Sequence, residues 1–247
     1  MDVEFNLDGY RKLIRHLMNY YTFIDFEQCV AGEPGPFVIL RHDIDYSLEK
    51  ALAIAQVEAE ELGIQSTYFV LHSSPHYTIL DPEAIRIIRE IHWLGHTIGF
   101  HYDCDLFGLA GDTELLLEQL IRAVENLCQV EVTCIVCHNP GVTAGDMFVD
   151  HAQYLNPYSP TFRDSMLYVS ESLGEWRGDA FTKLWSLSVP KIQLLLHPCF
   201  WADEKVFDRE RFLQDMRTKK IADVEYYINW QRDSWNSYLQ RRIPCQS

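Results

Sequence analysis

The chain has 247 residues, 47% apolar and 23% charged, which suits one large globular domain with a sizeable core. Its formal net charge of −15, from 21 basic and 36 acidic residues, argues against nucleic acid or an anionic membrane surface as partner. Met1-Asp2-Val3-Glu4 lacks the regions of a secretory leader, and no apolar run approaches the roughly 20 residues of a membrane span. Seven scattered cysteines read as reduced thiols, so the expected location is cytoplasmic.

Tyr10, Leu13, Ile14, Leu17, Met18 and Tyr21 recur at helical spacing and predict an amphipathic first helix. A Gly32-to-Pro36 turn leads into Phe37-Val38-Ile39-Leu40, a buried strand that changes abruptly to Arg41-His42-Asp43-Ile44-Asp45. Alternation puts Arg41, Asp43 and Asp45 on one face and His42 and Ile44 on the other. Ser47 caps a helix that Gly63 ends, and Ser66–Leu71 is a strand ending at His72. Asp81-Pro82 opens a helix closed by Gly95, and His96–Phe100 is a short strand running into His101-Tyr102-Asp103-Cys104-Asp105. Asp112 caps a helix with Leu115, Leu116, Leu120, Ile121, Val124 and Leu127 inward, and Val130–Val136 is a strand ending at His138.

Residues 142–164 lack periodicity and read as a long loop. Met166–Val169 is a strand ending near Glu171, Lys183–Leu187 reads as a short strand, and Ile192–Leu196 is a strand ending at His197-Pro198. From Asp208 to Arg242 the chain reads as helical, with a stripe at Ile221, Val224, Ile228, Trp235 and Tyr238 that packs on the domain or on a second copy, allowing a homodimer. The expectation is a single domain over 1–247, with a core at 37–201 and a helical extension at 206–242.

Strands alternating with helices imply a parallel α/β sheet whose reactive groups gather at the C-terminal ends of the strands. Five apolar runs end in a histidine or aspartate, more than core packing explains. Burying Asp43 and Asp45 side by side requires a cation, a divalent metal or Arg41. With Asp45, His101 and Asp105 make an O/N/O set able to hold zinc, which His138 can complete or in which it can replace one member. Cys134 and Cys137 face opposite sides of a strand, which argues against a zinc knuckle.

These residues resemble the polysaccharide deacetylase family, the carbohydrate esterases of NodB-homology type. Asp43-Ile44-Asp45 is similar to that family's strand-end Asp pair. Gly95-His96-Thr97-Ile98-Gly99-Phe100-His101-Tyr102-Asp103-Cys104-Asp105 resembles its G-H-x-I-G-x-H-x-x-x-H, with aspartate for the last histidine. His138-Asn139-Pro140-Gly141 resembles R-x-P-x-G with histidine for arginine, Glu171 to Trp176 resembles the acidic motif with a tryptophan, and Leu194-Leu195-Leu196-His197 resembles the final apolar strand.

The resemblance implies a distorted (β/α) barrel and a metal-dependent hydrolase removing an N-acetyl group from a sugar of a polysaccharide or glycan precursor. It makes Asp43 the general base, His197 the general acid, and Asp45 and His101 ligands of a divalent metal, with zinc expected. The missing arginine's role passes to Arg41 or Arg177. Tyr46, Tyr102, Trp176 and Trp201 are candidate sugar platforms, and His72 and Glu171 candidate pocket residues. Two other readings fit the same residues: a hydrolase of another C–N bond, such as a cyclic amide, and a non-catalytic saccharide-binding module.

Overall fold

The computed structural model describes residues 3–103, 113–138, 153–172 and 174–242. They form two compact units, Met1–Phe207 and Asp208–Ser247. The first is built on one eight-stranded sheet in the order β5-β4-β3-β2-β8-β6-β7, with β1 also on β2. All the ladders are parallel except that between β6 (Leu167–Ser172) and β7 (Glu175–Trp176). No ladder joins β5 (Ile135–Cys137) to β7 among the described residues, so the distorted (β/α) barrel is a curled half-barrel.

β2 (Phe37–Ile44) is central and buried along its whole length. One edge pairs with β8 (Lys191–Leu196) from Phe37 to His42. The other is shared: β1 (Thr22–Ile24) takes residues 37 to 39, and β3 (Thr67–Leu71) takes 41 to 44. β4 (Thr97–Tyr102) then joins β3 to β5. The inward faces meet in a core of Ile24, Phe26, Phe37, Ile39, Phe69, Cys134, Val136 and Phe162.

Helix α1 (Leu7–Met18) starts where the Asn6 side chain accepts from the Gly9 N–H at 2.7 Å. α2 (Phe26–Val30), which with β1 has too few residues to show a period, is set by a reciprocal Asp25–Gln28 capping box. Ser47 caps α3 (Leu48–Gln56), which continues as a π-helical turn, Val57–Leu62, and stops at left-handed Gly63 (φ +66°). Asp81 and Pro82 start α4 (Pro82–Trp93) as the sequence implies.

Several expectations change. Lys183–Leu187 is not a strand: α7 (Ala180–Trp185) occupies most of it, burying Leu184. A five-residue apolar run fits either period, and helix packing decides here. α5 (Thr113–Cys128) turns Leu117, Ile121, Val124 and Cys128 inward, leaving Leu115 exposed. Its buried stripe follows i, i+4, i+7, i+11 from Leu117. The strand expected from Val130 forms a ladder with β4 only from Ile135, and on its other edge Thr133 and Ile135 bond Leu155. In the supposed loop after residue 142, α6 (Pro160–Arg163) forms and buries Phe162.

The second unit is one helix, α8 (Arg209–Arg242), whose expected stripe residues Ile221, Val224, Ile228, Trp235 and Tyr238 are all exposed. Cys29, Cys128, Cys134 and Cys199 are free. Cys137 is disulfide-bonded, so the expectation of reduced thiols throughout does not hold.

Candidate active site

The acidic end of β2, the last residues of β4 and β5, and His197 after β8 converge on a cavity of roughly 420 Å³. Asp43, Asp45, His101, His138, Glu171, Arg177 and His197 line it. Asp45 lies at the centre: Oδ1 is 3.3 Å from His101 Nε2 and 3.5 Å from His138 Nδ1, and Oδ2 is 3.8 Å from His197 Nε2. His101 Nε2 is also 3.7 Å from Asp43 Oδ2 and 3.2 Å from His138 Nδ1. Side chains from four strand ends, up to about 150 residues apart in sequence, therefore share one centre, as parallel strands feeding one rim require.

The Asp45, His101 and His138 donors all lie within 4.8 Å of one another. They fit a divalent cation on two grounds. His101 Nδ1 lies 3.0 Å from the Val136 carbonyl, to which it donates, so Nε2 keeps its lone pair toward Asp45. Asp45 Oδ1 is buried with no regular hydrogen bond. Burial alone would raise the Asp45 pKa, but the close approach of His101 and His138 and the nearby His197 holds it well below the carboxylate range. His138 is raised: burial lowers it, and Asp45 outweighs burial.

Asp43 is clamped from behind. Arg41, fully buried, donates from Nη2 to Asp43 Oδ2 at 3.0 Å and to the Tyr158 hydroxyl at 2.9 Å. Its guanidinium stacks over the Tyr158 and Phe69 rings, 4.7 and 5.4 Å from their centroids. Asp43 and Tyr158 outweigh burial and keep Arg41 charged. Asp43 Oδ1, buried and without a partner, is left for a ligand.

His197 is oriented by Glu171, whose Oε2 accepts from Nδ1 at 2.8 Å and whose Oε1 accepts from the His197 backbone N–H and, at 3.1 Å, from Trp201 Nε1. Burial lowers the His197 pKa, but Glu171, Asp45 and Asp43 outweigh it and lift the group to about 9. His197 therefore holds a proton at neutral pH, with Nε2 toward Asp45.

Other expected residues stand elsewhere. Trp201 is fully buried against Phe5, Tyr10 and Trp176 and positions Glu171, so it offers a sugar no face. Trp176 stacks on Phe181, and Tyr46 lies beside His76. Tyr102 is buried, which pushes its hydroxyl up to about 12. His72 stacks on Phe100, with Nδ1 3.2 Å from the His101 carbonyl. None of these five lines the cavity, and neither does Arg41, whose part is to hold Asp43. Asp105 and the Asn139-Pro140-Gly141 stretch lie outside the described residues.

The structure adds residues that carry little signal in sequence. Tyr158, Tyr168, Ser170, Gln193 and Leu195 also line the cavity. Tyr77 donates to the Ile44 carbonyl and Ser74 Oγ to that of Asp45, pinning the tip of β2.

On the far face of β2, His42 Nε2 donates to Glu58 Oε1 at 2.8 Å. Glu58 is fully buried and also accepts from Tyr10, from Ser66 Oγ at 2.7 Å and from the Tyr68 hydroxyl at 2.7 Å. His96 Nδ1 accepts from the Ser66 N–H, so Nε2 donates to the Ala55 carbonyl at 3.0 Å. This network fixes the rotation of β2 and hence the direction of Arg41 and Asp43 on its other face.

No family model matches the sequence, and no curated protein matches it. Among solved structures, the chain is similar to the catalytic domain of peptidoglycan N-acetylglucosamine deacetylase from Eubacterium rectale, at 14% identity and TM-score 0.45, over 76% of this chain and 86% of that one. It is similar to the chitin deacetylase of the fungal pathogen Colletotrichum lindemuthianum, at 14% identity and TM-score 0.43, over 80% and 86% of the two chains. It is also similar to a family 4 carbohydrate esterase from Bacillus anthracis, at 15% identity and TM-score 0.42, over 87% and 86%.

Proposed function

We propose that the chain is a metal-dependent amide hydrolase that removes the acyl group from an acylamido sugar, with N-acetyl as the group the sequence motifs imply. The observation that carries this reading is the meeting of Asp43, Asp45, His101, His138 and His197 at one point, with Arg41 behind the first and Glu171 behind the last. Asp45, His101 and His138 would hold the cation, and a nitrogen and oxygen donor set suits zinc. The chemistry supplied by a divalent cation there is polarisation of the acyl carbonyl and a lower pKa for the attacking water.

The chain's own groups do the proton work. Asp43, with one oxygen held by Arg41 and the other without a partner, takes a proton from water as the water oxygen bonds to the carbonyl carbon. His197, kept protonated by Glu171, gives a proton to the nitrogen as the C–N bond breaks. The products are a carboxylate and an amine. Tyr158 and Arg177, at the wall and mouth of the cavity, are the groups placed to meet the sugar. A cytoplasmic location rests on the four free thiols, and the Cys137 disulfide weighs against it. No described helix is long and apolar enough to cross a membrane.

The test combines elemental analysis with acetate release from N-acetylglucosamine oligomers. About one equivalent of metal, falling below roughly a tenth in Asp45→Ala, together with acetate release lost in the same variant, is the expected result. A metal-free protein that binds oligosaccharide equally well with Asp45→Ala is a binding module, and the hydrolase reading then fails. Ring opening of a cyclic amide without acetate release would move the chemistry to another C–N bond.

A further inference from the structure

The cavity, roughly 420 Å³, is larger than removal of an acetyl group requires. β8 and the residue after it give it Gln193, Leu195 and His197, and β6 gives it Tyr168, Ser170 and Ser172. Gln193 is in register with Tyr168 and Leu195 with Ser170, so the two strands face the cavity as successive rungs. At about 3.3 Å per residue, Gln193 stands roughly 13 Å along the strand from His197. An acetyl group extends past its carbonyl carbon by a single bond of about 1.5 Å.

The inner end is polar in a specific way. Gln193 is 1% exposed, yet its amide nitrogen has no hydrogen-bond partner. Its neighbours along the inward face of β2 are Ile39 and the Arg41 rung, neither of which supplies an acceptor to it. Buried amide donors are nearly always paired, and one left open on a cavity wall awaits an acceptor from a ligand. The approach from His197 passes Leu195 on one strand and Ser170 on the other, a passage suited to a narrow, mostly apolar chain.

We infer that this inner half is a subsite for the acyl portion of the substrate, and that Gln193 donates to an oxygen acceptor on that acyl chain. The inference rests on the hydrolase reading above for what enters the cavity, and it narrows the substrate class. The favoured amide carries an acyl group longer than acetyl, with a hydroxyl, keto or carboxylate oxygen roughly six to eight atoms beyond the carbonyl carbon. Gln193 is the specificity residue. It touches neither the water nor the leaving nitrogen, and the bond broken and the proton transfers remain those described for the shorter substrate.

The experiment uses the full chain loaded with zinc and a series of N-acylglucosamines: acetyl, heptanoyl, 6-hydroxyheptanoyl and pimeloyl. The hydroxylated or the pimeloyl substrate is expected to exceed heptanoyl in kcat/KM by about tenfold, the worth of one satisfied donor. Which of the two leads distinguishes a hydroxyl from a carboxylate as the acceptor. In Gln193→Leu the ratio should fall to about one. A wild-type preference for heptanoyl or acetyl, or an undiminished ratio in Gln193→Leu, overturns the subsite.

Hydrolysis of none of the series would defeat the hydrolase reading, and the subsite would then be judged by calorimetry with the free acids. Tighter binding of 6-hydroxyheptanoate or pimelate than of heptanoate, lost in Gln193→Leu, supports it. Equal binding of all three refutes it. Gln193→Met removes the donor at nearly constant volume, and it gives the same reading if the leucine variant does not fold.

Discussion

Replacing Glu58 by glutamine tests whether the network behind the site depends on a carboxylate. Oε1 accepts from Tyr10 and His42, and Oε2 from Ser66 and Tyr68, all in a region closed to water. A glutamine has one carbonyl oxygen, so in either orientation its NH2 faces two of those donors. Each buried donor without an acceptor costs about 1–3 kcal/mol, less whatever a rotating hydroxyl recovers. The expected loss is about 3 kcal/mol, a large share of the roughly 5–15 kcal/mol that holds a domain together.

The pH dependence gives a second reading. Burial raises the Glu58 pKa, but the neighbouring His42 and His96 and the bonds from His42 and Tyr10 bring it to about 2, below its ordinary 4.5. The folded state thus gains from ionised Glu58 above pH 4.5 and loses that gain as pH falls toward 2. At 1.36 kcal/mol per unit the gain is about 3 kcal/mol. Urea unfolding of wild type and Glu58→Gln at pH 7, 4.5, 3.5 and 2.5 measures both. The two stabilities should differ by about 3 kcal/mol at pH 7 and converge through the acid range. A difference under about 1 kcal/mol at pH 7, or one independent of pH, would refute the reasoning.

Arg41→Met leaves Asp43 buried without its cation, a change that costs about 3–5 kcal/mol. It also frees the Asp43 side chain, so kcat should fall at least about a hundredfold; chemical unfolding and single-turnover rates measure the two effects, and an active variant of unchanged stability would show that the pair is idle. Gly99→Ala places a methyl 2.5 Å from Phe69 Cδ1 and Cε1, inside contact distance. A loss of about 1–3 kcal/mol is expected, read as a melting temperature lowered by about 2–4 °C per kcal/mol. An unaltered melt would mean that the Phe69 ring moves aside freely.

Much of the architecture is written in local patterns. Phe37–Leu40, Tyr68–Leu71 and Leu194–Leu196 are apolar runs flanked by turns or caps, and their polar ends place the site. What escapes sequence reading is polar residues set in apolar surroundings for reasons lying on other elements. Glu58 falls in phase with Ile54, Ala55 and Leu62 and looks like a flaw in an apolar stripe until Tyr10, His42, Ser66 and Tyr68 surround it. Gln193 breaks the run Ile192–Leu196 on its inward side, a signal legible only once the cavity gives that side a meaning. Trp201 misleads in the opposite direction: next to a strand end it suggests a sugar platform, but its indole is consumed in packing and in steadying Glu171.

The pairing of β2 with β8 has a consequence for the order in which a newly made chain becomes competent. Asp45, His101 and His138 are all synthesised before residue 139, whereas the proton donor arrives with a strand that begins at Lys191 and must bridge about 150 residues to reach its neighbour. Joins this distant form late, because the intervening polypeptide must first be ordered. The emerging protein therefore carries its three candidate ligands well before His197 is in place. The candidate site is complete only when the final strand closes against the first acidic one, and an unfinished chain holds it without its last histidine.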